Sequence, residues 1–287
     1  MQPTDAPPPA PAPAAAAPGA DGETDLALQV EARRHGREHH LTVTRTARYV
    51  TLGRPHEGLR ELWIVCHGHG QLAGRFIRHF ASLDDGTRLI VAPEALSRYY
   101  VDPVSSGSAA DRRVGATWMT REDRLSEIND YVNYLDALHT HLFREVDRAS
   151  VRLHVLGFSQ GVATVCRWLA GGRAHPDDLT LWAGVVPPDL DLAAQGSALR
   201  AARLNVVFGA RDEFATPATV AAQVERLRDA AIPFTSHVFD GGHHLDAGVL
   251  ARLAHSGTGA TNGGASASAG PDRPAQPGAA GESPPLA

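Results

Sequence analysis

The chain is 287 residues long, carries 27 basic and 32 acidic side chains for a formal charge of −5, and is 43% hydrophobic, which is a soluble globular composition. All 27 basic residues are Arg, and the lack of Lys excludes Schiff-base, pyridoxal-phosphate, Ser-Lys and P-loop chemistry. The mild acidity, with Arg never in runs longer than two, argues against nucleic acid or an anionic membrane surface and leaves a small neutral or weakly polar ligand as the easier partner.

Fifteen of the first 20 residues are Pro or Ala, and 26 of the 32 from Ser256 to Ala287 are Gly, Ala, Ser, Thr or Pro. Neither stretch can bury enough apolar surface to offset its ordering entropy, so residues 1–24 and 256–287 read as disordered tails around one domain over 25–255. The start lacks a basic, apolar leader, and no run approaches the ~18 apolar residues of a membrane span. Cys66 and Cys166 sit singly in apolar runs, outside any CxxC pair, and suit a reducing compartment. The expected location is the cytoplasm, without membrane insertion.

Within the domain, short β-type runs alternate with helical patterns, as in a mostly parallel sheet covered by helices on both faces. Leu41–Tyr49 and Tyr49–Leu52 read as an opening antiparallel pair. Strands then follow at Leu62–Cys66, Arg88–Ala92, Val151–Leu156, Leu179–Ala183, Leu204–Phe208 and Phe234–Phe239. The longest helix is predicted from Arg121 to about Asp147, with an apolar stripe through Leu125, Ile128, Val132, Leu135, Leu138, Leu142 and Val146, and Thr120 with Asp123 resembles a capping box. The segment from Pro93 to Thr120 is longer than the ~12–15 residues usual for a connection without structure of its own, and it follows a strand end, where such sheets bind ligands.

The chemistry concentrates at strand ends. The run Val151–Leu156 leads into Gly157-Phe158-Ser159-Gln160-Gly161, and Val162, Val165, Cys166 and Leu169 continue as a helical stripe. A Ser on so sharp a strand-to-helix turn is held clear of the sheet, and Gly on either side permits the close approach. Its hydroxyl needs a base, and the base needs an orienting acid. Asp212, in the loop after the strand Leu204–Phe208, is the candidate acid, with Glu213 as fallback. His243, after the Gly241-Gly242 pair, is the candidate base, with His244 as competitor. A tetrahedral intermediate also needs amide donors. Gln160 supplies one, and the His67-Gly68-His69-Gly70-Gln71 turn supplies the other, from His69 or else from Gly70 or Gln71, with His67 bracing the loop.

These features, HGHG, GFSQG, GARDEF and GGHHL in that order, resemble the α/β-hydrolase superfamily, and most closely its phospholipase/carboxylesterase branch of serine esterases, which includes acyl-protein thioesterase-like enzymes. The resemblance implies an α/β-hydrolase fold, Ser159 as nucleophile, His243 as base, Asp212 as its orienter, the His69 and Gln160 amides as oxyanion hole, a small-molecule ester as substrate and no cofactor. The chain departs from the branch in having His69 where an apolar residue is common, and in the long segment holding Tyr99, Tyr100, Trp118 and Met119. Placed as a pocket wall, those four side chains would crowd the acyl site and favour short acyl groups. Two other readings stand beside this one. A non-catalytic binder on the same fold is one, and a metal-dependent hydrolase suggested by the 15 histidines is the other, although the HxH lacks the acidic residue and further His that a binuclear site requires.

Overall fold

The computed structural model of the chain describes residues 36–108 and 110–256. The expected tails therefore lie outside the described residues, apart from Ser256, which ends the last helix. Residues 36–46 form a unit of their own, exposed and without helix or strand.

The other unit contains β1 (Tyr49–Leu52), β2 (Glu61–Cys66), α1 (Ala73–Phe76) continued by a 3-10 turn over Ile77–Leu83, β3 (Arg88–Pro93), β4 (Ser97–Tyr100), β5 (Val114–Thr117) and α2 (Arg124–Leu142). It continues through β6 (Arg152–Phe158), α3 (Gln160–Gly171), β7 (Asp178–Trp182), α4 (Leu192–Gln195), α5 (Ser197–Ala201), β8 (Arg203–Gly209), α6 (Pro217–Asp229), β9 (Phe234–Phe239) and α7 (Ala247–Ser256). Seven strands form one sheet in the order β1-β3-β2-β6-β7-β8-β9. Within this sheet, among the described residues, only the β1–β3 pair is antiparallel. Among the described residues, no helix is long and apolar enough to cross a membrane.

Strand alternation divides the interior in two, because successive side chains point to opposite faces. Leu62, Ile64 and Cys66 of β2 join Leu135 of α2, Val165 of α3 and Leu227 of α6 on one face. Trp63 and Val65 join Phe76, Phe80 and the α7 residues Leu250 and Leu253 on the other. Both faces are buried, so the strands are near-continuous apolar runs and are legible as such.

Three local expectations are corrected. Leu41–Tyr49 is not a strand: Leu41 and Val43 are 86% and 71% exposed, so the alternation has no buried face to satisfy, and β1 pairs instead with β3. The capping box is absent, since Asp123 sits at φ 42° without a side-chain cap bond, and Glu127 accepts from the Thr120 amide at 2.6 Å in its place. Leu125 stands 70% exposed outside the helix stripe, and Tyr131 takes the buried position. The long Pro93–Thr120 segment has structure of its own, the antiparallel β4–β5 pair.

At the end of the sheet opposite the strand C-termini, His154 is 3% exposed, stacks on Trp63 at 4.2 Å, and lies between Glu61 and Asp178. Those carboxylates are already paired, Glu61 with Arg88, and Asp178 with Arg152 and Arg203. Burial therefore dominates and pushes the His154 pKa down to about 4. In the unfolded chain the imidazole titrates near ~6.5. Between the two values the unfolded chain takes up a proton that the folded chain refuses, so stability falls as pH drops through that window. Urea unfolding should show about 2 kcal/mol less stability at pH 5 than at pH 7 from this group. His154→Phe, which keeps a ring on Trp63, should lose that component, and an unchanged pH dependence in the variant would refute the assignment.

Candidate active site

Ser159 occupies the turn between β6 and α3 at φ 54°, ψ −118°, a conformation sparsely populated by residues with a side chain. Its amide donates to the Trp182 carbonyl at 2.8 Å, which pins the turn to the end of β7. The flanking glycines are steric necessities. A Cβ on Gly157 would meet the Gly161 carbonyl oxygen at 2.4 Å, and one on Gly161 would meet that of Cys66 at 2.3 Å.

The loops after β8 and β9 bring Asp212 and His243 to this turn. His243 Nε2 lies 2.9 Å from Ser159 Oγ, and its Nδ1 lies 2.9 Å from Asp212 Oδ2 and 3.1 Å from Oδ1. A carboxylate accepts only, so Nδ1 carries the proton and Nε2 is left to accept from the serine hydroxyl. Asp212 Oδ1 also accepts from the amides of Phe214 and Ala215 at 2.9 and 3.0 Å. Burial works to raise the Asp212 pKa, but the Ala215 amide, the imidazole and the Phe214 amide outweigh it and hold the carboxyl below its ordinary range. The imidazole is flanked by the rings of Phe158 and Phe214, with centroids at 5.1 and 4.8 Å. Glu213 is exposed and outside this chain of contacts. The exposed His244 packs its ring edge-on against Phe239, its amide donates to the Gly242 carbonyl, and its carbonyl accepts from the Trp182 indole N–H.

The turn after β2 packs against Ser159, since a Cβ on Gly68 would lie 3.1 Å from Ser159 Cβ. Its amides can be assigned one at a time. Gly68 donates to Gln71 Oε1 at 2.8 Å, Gly70 to the Ala116 carbonyl at 2.9 Å, and Gln71 to the Gly68 carbonyl at 3.3 Å. Among the described residues, only the His69 amide of residues 68–71 has no acceptor. The Gln160 amide, in the first turn of α3, likewise has no intrahelical partner. His67 is fully buried and braces the turn, its Nδ1 donating to the Gly68 carbonyl at 2.7 Å and its Nε2 accepting from the Ala95 amide at 3.1 Å. His67, His69 and His243 thus engage both ring nitrogens with partners inside the chain. That leaves the HxH and His-His pairs no convergent lone pairs for a metal.

The four side chains expected to wall an acyl pocket separate. Trp118 is 2% exposed in the core, donating its indole N–H to the His67 carbonyl at 2.8 Å and packing on Tyr131. Tyr100 is exposed with the Arg112 guanidinium over its ring. The core position of Trp118 and the exposed position of Tyr100 keep the two rings apart, so they do not stack as one crowded wall. Tyr99 points its hydroxyl to His69 Nε2 at 2.6 Å, and the carbonyl of the half-buried Met119 accepts from Gln160 Nε2 at 2.8 Å. Sequence reasoning missed Thr117 and Phe214 beside the site. Phe214 carried a weak signal, two positions after Asp212, whereas Thr117 carried none, because only the hairpin register brings it near Ser159.

No family model matches this chain, and no curated protein does. Among solved structures, esterase PE8 superposes with a TM-score of 0.56 at 18% identity, over 73% of this chain and 98% of its own. Acyl-protein thioesterase 2 of Zea mays gives 0.55 at 15% identity over 74% and 98%. A carboxylesterase from Mesorhizobium loti gives 0.55 at 19% identity over 74% and 95%. With its mostly parallel seven-stranded sheet and this likeness to solved structures, the chain has the α/β-hydrolase fold.

Proposed function

We propose that the protein is a serine hydrolase that cleaves carboxylic esters of small molecules through an acyl-enzyme intermediate on Ser159. The observation that carries the reading is the unbroken chain from Ser159 Oγ to His243 Nε2 and from His243 Nδ1 to Asp212, with the nucleophile on a strained turn. In the first step Oγ forms a bond to the ester carbonyl carbon while its proton passes to His243 Nε2. The carbonyl oxygen takes up the displaced electron pair and is met by the His69 and Gln160 amides. Collapse of that intermediate expels the alcohol, which leaves with the proton from Nε2. Water then enters by the same route in reverse and releases the acid. Every step uses groups of the chain itself, so no cofactor is required. The structural neighbours are named as esterases and a thioesterase, which agrees with this class of reaction. The two buried thiols, both raised in pKa by burial, take no part, and they agree with a reducing, intracellular setting.

The test is labelling of the full chain with a fluorophosphonate, together with turnover of p-nitrophenyl esters of graded acyl length. Stoichiometric labelling at Ser159 and measurable turnover are expected. A chain that binds esters without labelling or turnover would be a binder rather than a hydrolase, and inhibition by a chelator would transfer the chemistry to a metal.

A further inference from the structure

The amides of His69 and Gln160 come from loops far apart in the sequence, and an oxyanion hole works only when its donors are held at fixed separation. Their side chains converge on one atom. Thr117, 3% exposed at the end of β5, places its Oγ1 3.2 Å from His69 Nδ1 and 3.0 Å from Gln160 Nε2. On the reading of Ser159 as an acylated nucleophile, we propose that the Thr117 hydroxyl positions the oxyanion hole, tying its two donor residues to each other through their side chains, with Tyr99 orienting the imidazole.

The directions of the bonds form one consistent chain. Thr117 Oγ1 lies 2.9 Å from the Met119 carbonyl, its nearest oxygen acceptor, and donates its proton there. The hydroxyl oxygen is then free to accept, from the Gln160 amide group on one side and from His69 Nδ1–H on the other. With the proton on Nδ1, His69 Nε2 accepts from the Tyr99 hydroxyl at 2.6 Å. Burial raises the Tyr99 pKa, so the phenol keeps the proton that it donates. Gln160 is further held at both ends of its carboxamide, Oε1 accepting from the Trp118 amide at 3.1 Å and Nε2 donating to Met119. The backbone repeats the arrangement: Gly70 donates to Ala116, and Ala116 donates to Gln71, so β5 grips the donor turn by main chain one residue before it grips His69 by side chain. An apolar residue at position 69 would sever the side-chain tie, which gives this chain a reason for His there.

Thr117→Val keeps the side-chain shape and removes only the hydroxyl, leaving Gln160 its bond to Met119. A donor shifted slightly from the oxyanion loses an interaction made only in the transition state, so kcat should fall about tenfold or more while KM stays within about twofold. Thr117→Ser should recover most of the loss, and Tyr99→Phe should give a smaller fall in kcat. A Thr117→Val enzyme with unchanged kcat, a loss confined to KM, or a Ser variant as impaired as the Val variant would overturn the proposal. A readout independent of turnover is the imidazole 15N spectrum, with the His69 signals identified by their loss in His69→Leu. The Nδ1–H tautomer is expected in the wild-type chain and a shift toward the other tautomer in Thr117→Val, and a spectrum the same in both would equally overturn it. A wild-type chain with the expected tautomer but no fluorophosphonate labelling would instead overturn the serine-hydrolase reading, and the oxyanion role with it.

Discussion

Ser159→Ala should remove both fluorophosphonate labelling and ester hydrolysis while the domain stays folded. The side chain contributes a single hydroxyl at a partly exposed turn, and the turn is held by the Ser159 amide bond to Trp182 and by the close glycine contacts, none of which the substitution touches. Loss of the nucleophile should lower kcat by about three orders of magnitude or more, the residue being whatever rate the oxyanion donors and substrate binding sustain alone. The measurement pairs probe labelling with urea unfolding of the variant. Labelling that persists with unchanged stoichiometry would mean another residue reacts.

The second large effect is expected at the imidazole and its acid. His243→Ala should be nearly as damaging as the serine change, because among the described residues its Nε2 is the base that hydrogen-bonds Oγ. His244→Ala should be mild, since that imidazole packs on Phe239. Asp212→Asn is the more instructive variant. The Asn oxygen can go on accepting from the Phe214 and Ala215 amides, so its NH2 would face His243 Nδ1. Two donors cannot pair, so the ring must move its proton to Nε2 and can no longer accept from Ser159. A fall of about 10³–10⁴ in kcat with little change in stability is expected, by analogy with the corresponding change in a serine protease. Glu213→Gln should leave kcat/KM within about threefold, because that carboxylate lies outside the chain of contacts. An inactive His244→Ala beside an active His243→Ala would reverse the choice made at the histidine pair.

What the sequence determined by itself follows from short-range physics. Strands buried on both faces must be apolar at nearly every position, so β2, β3, β6, β7 and β8 stand out as runs, with ends displaced by a residue or two. A nucleophile turn needs a sparsely populated backbone and room on both flanks, and Gly157, Ser159 and Gly161 announce that requirement in five letters. The Ser, Asp, His order could be read because each residue sits in the loop just after a strand, and parallel strands bring those loops to one edge.

Only the tertiary structure decided the rest, and in each case through a contact between segments distant in sequence. His243 is favoured over His244 in the sequence only by its place after the glycine pair; which ring meets Asp212 and which meets Phe239 is a matter of backbone direction after Gly242 that period-two alternation leaves open. The one amide of residues 68–71 without an acceptor, that of His69, stood out once Ala116 and Gly68 had claimed the amides of Gly70 and Gln71. Trp118 looked like pocket wall from composition and proved to be core, held there by its indole bond to the His67 carbonyl and its packing on Tyr131, while Tyr100 stays exposed. Thr117 was invisible because its partners, too, are distant in sequence. A hydroxyl acquires its role from what the fold places around it, and here that is a histidine and a glutamine brought together by the packing of a hairpin on the sheet edge.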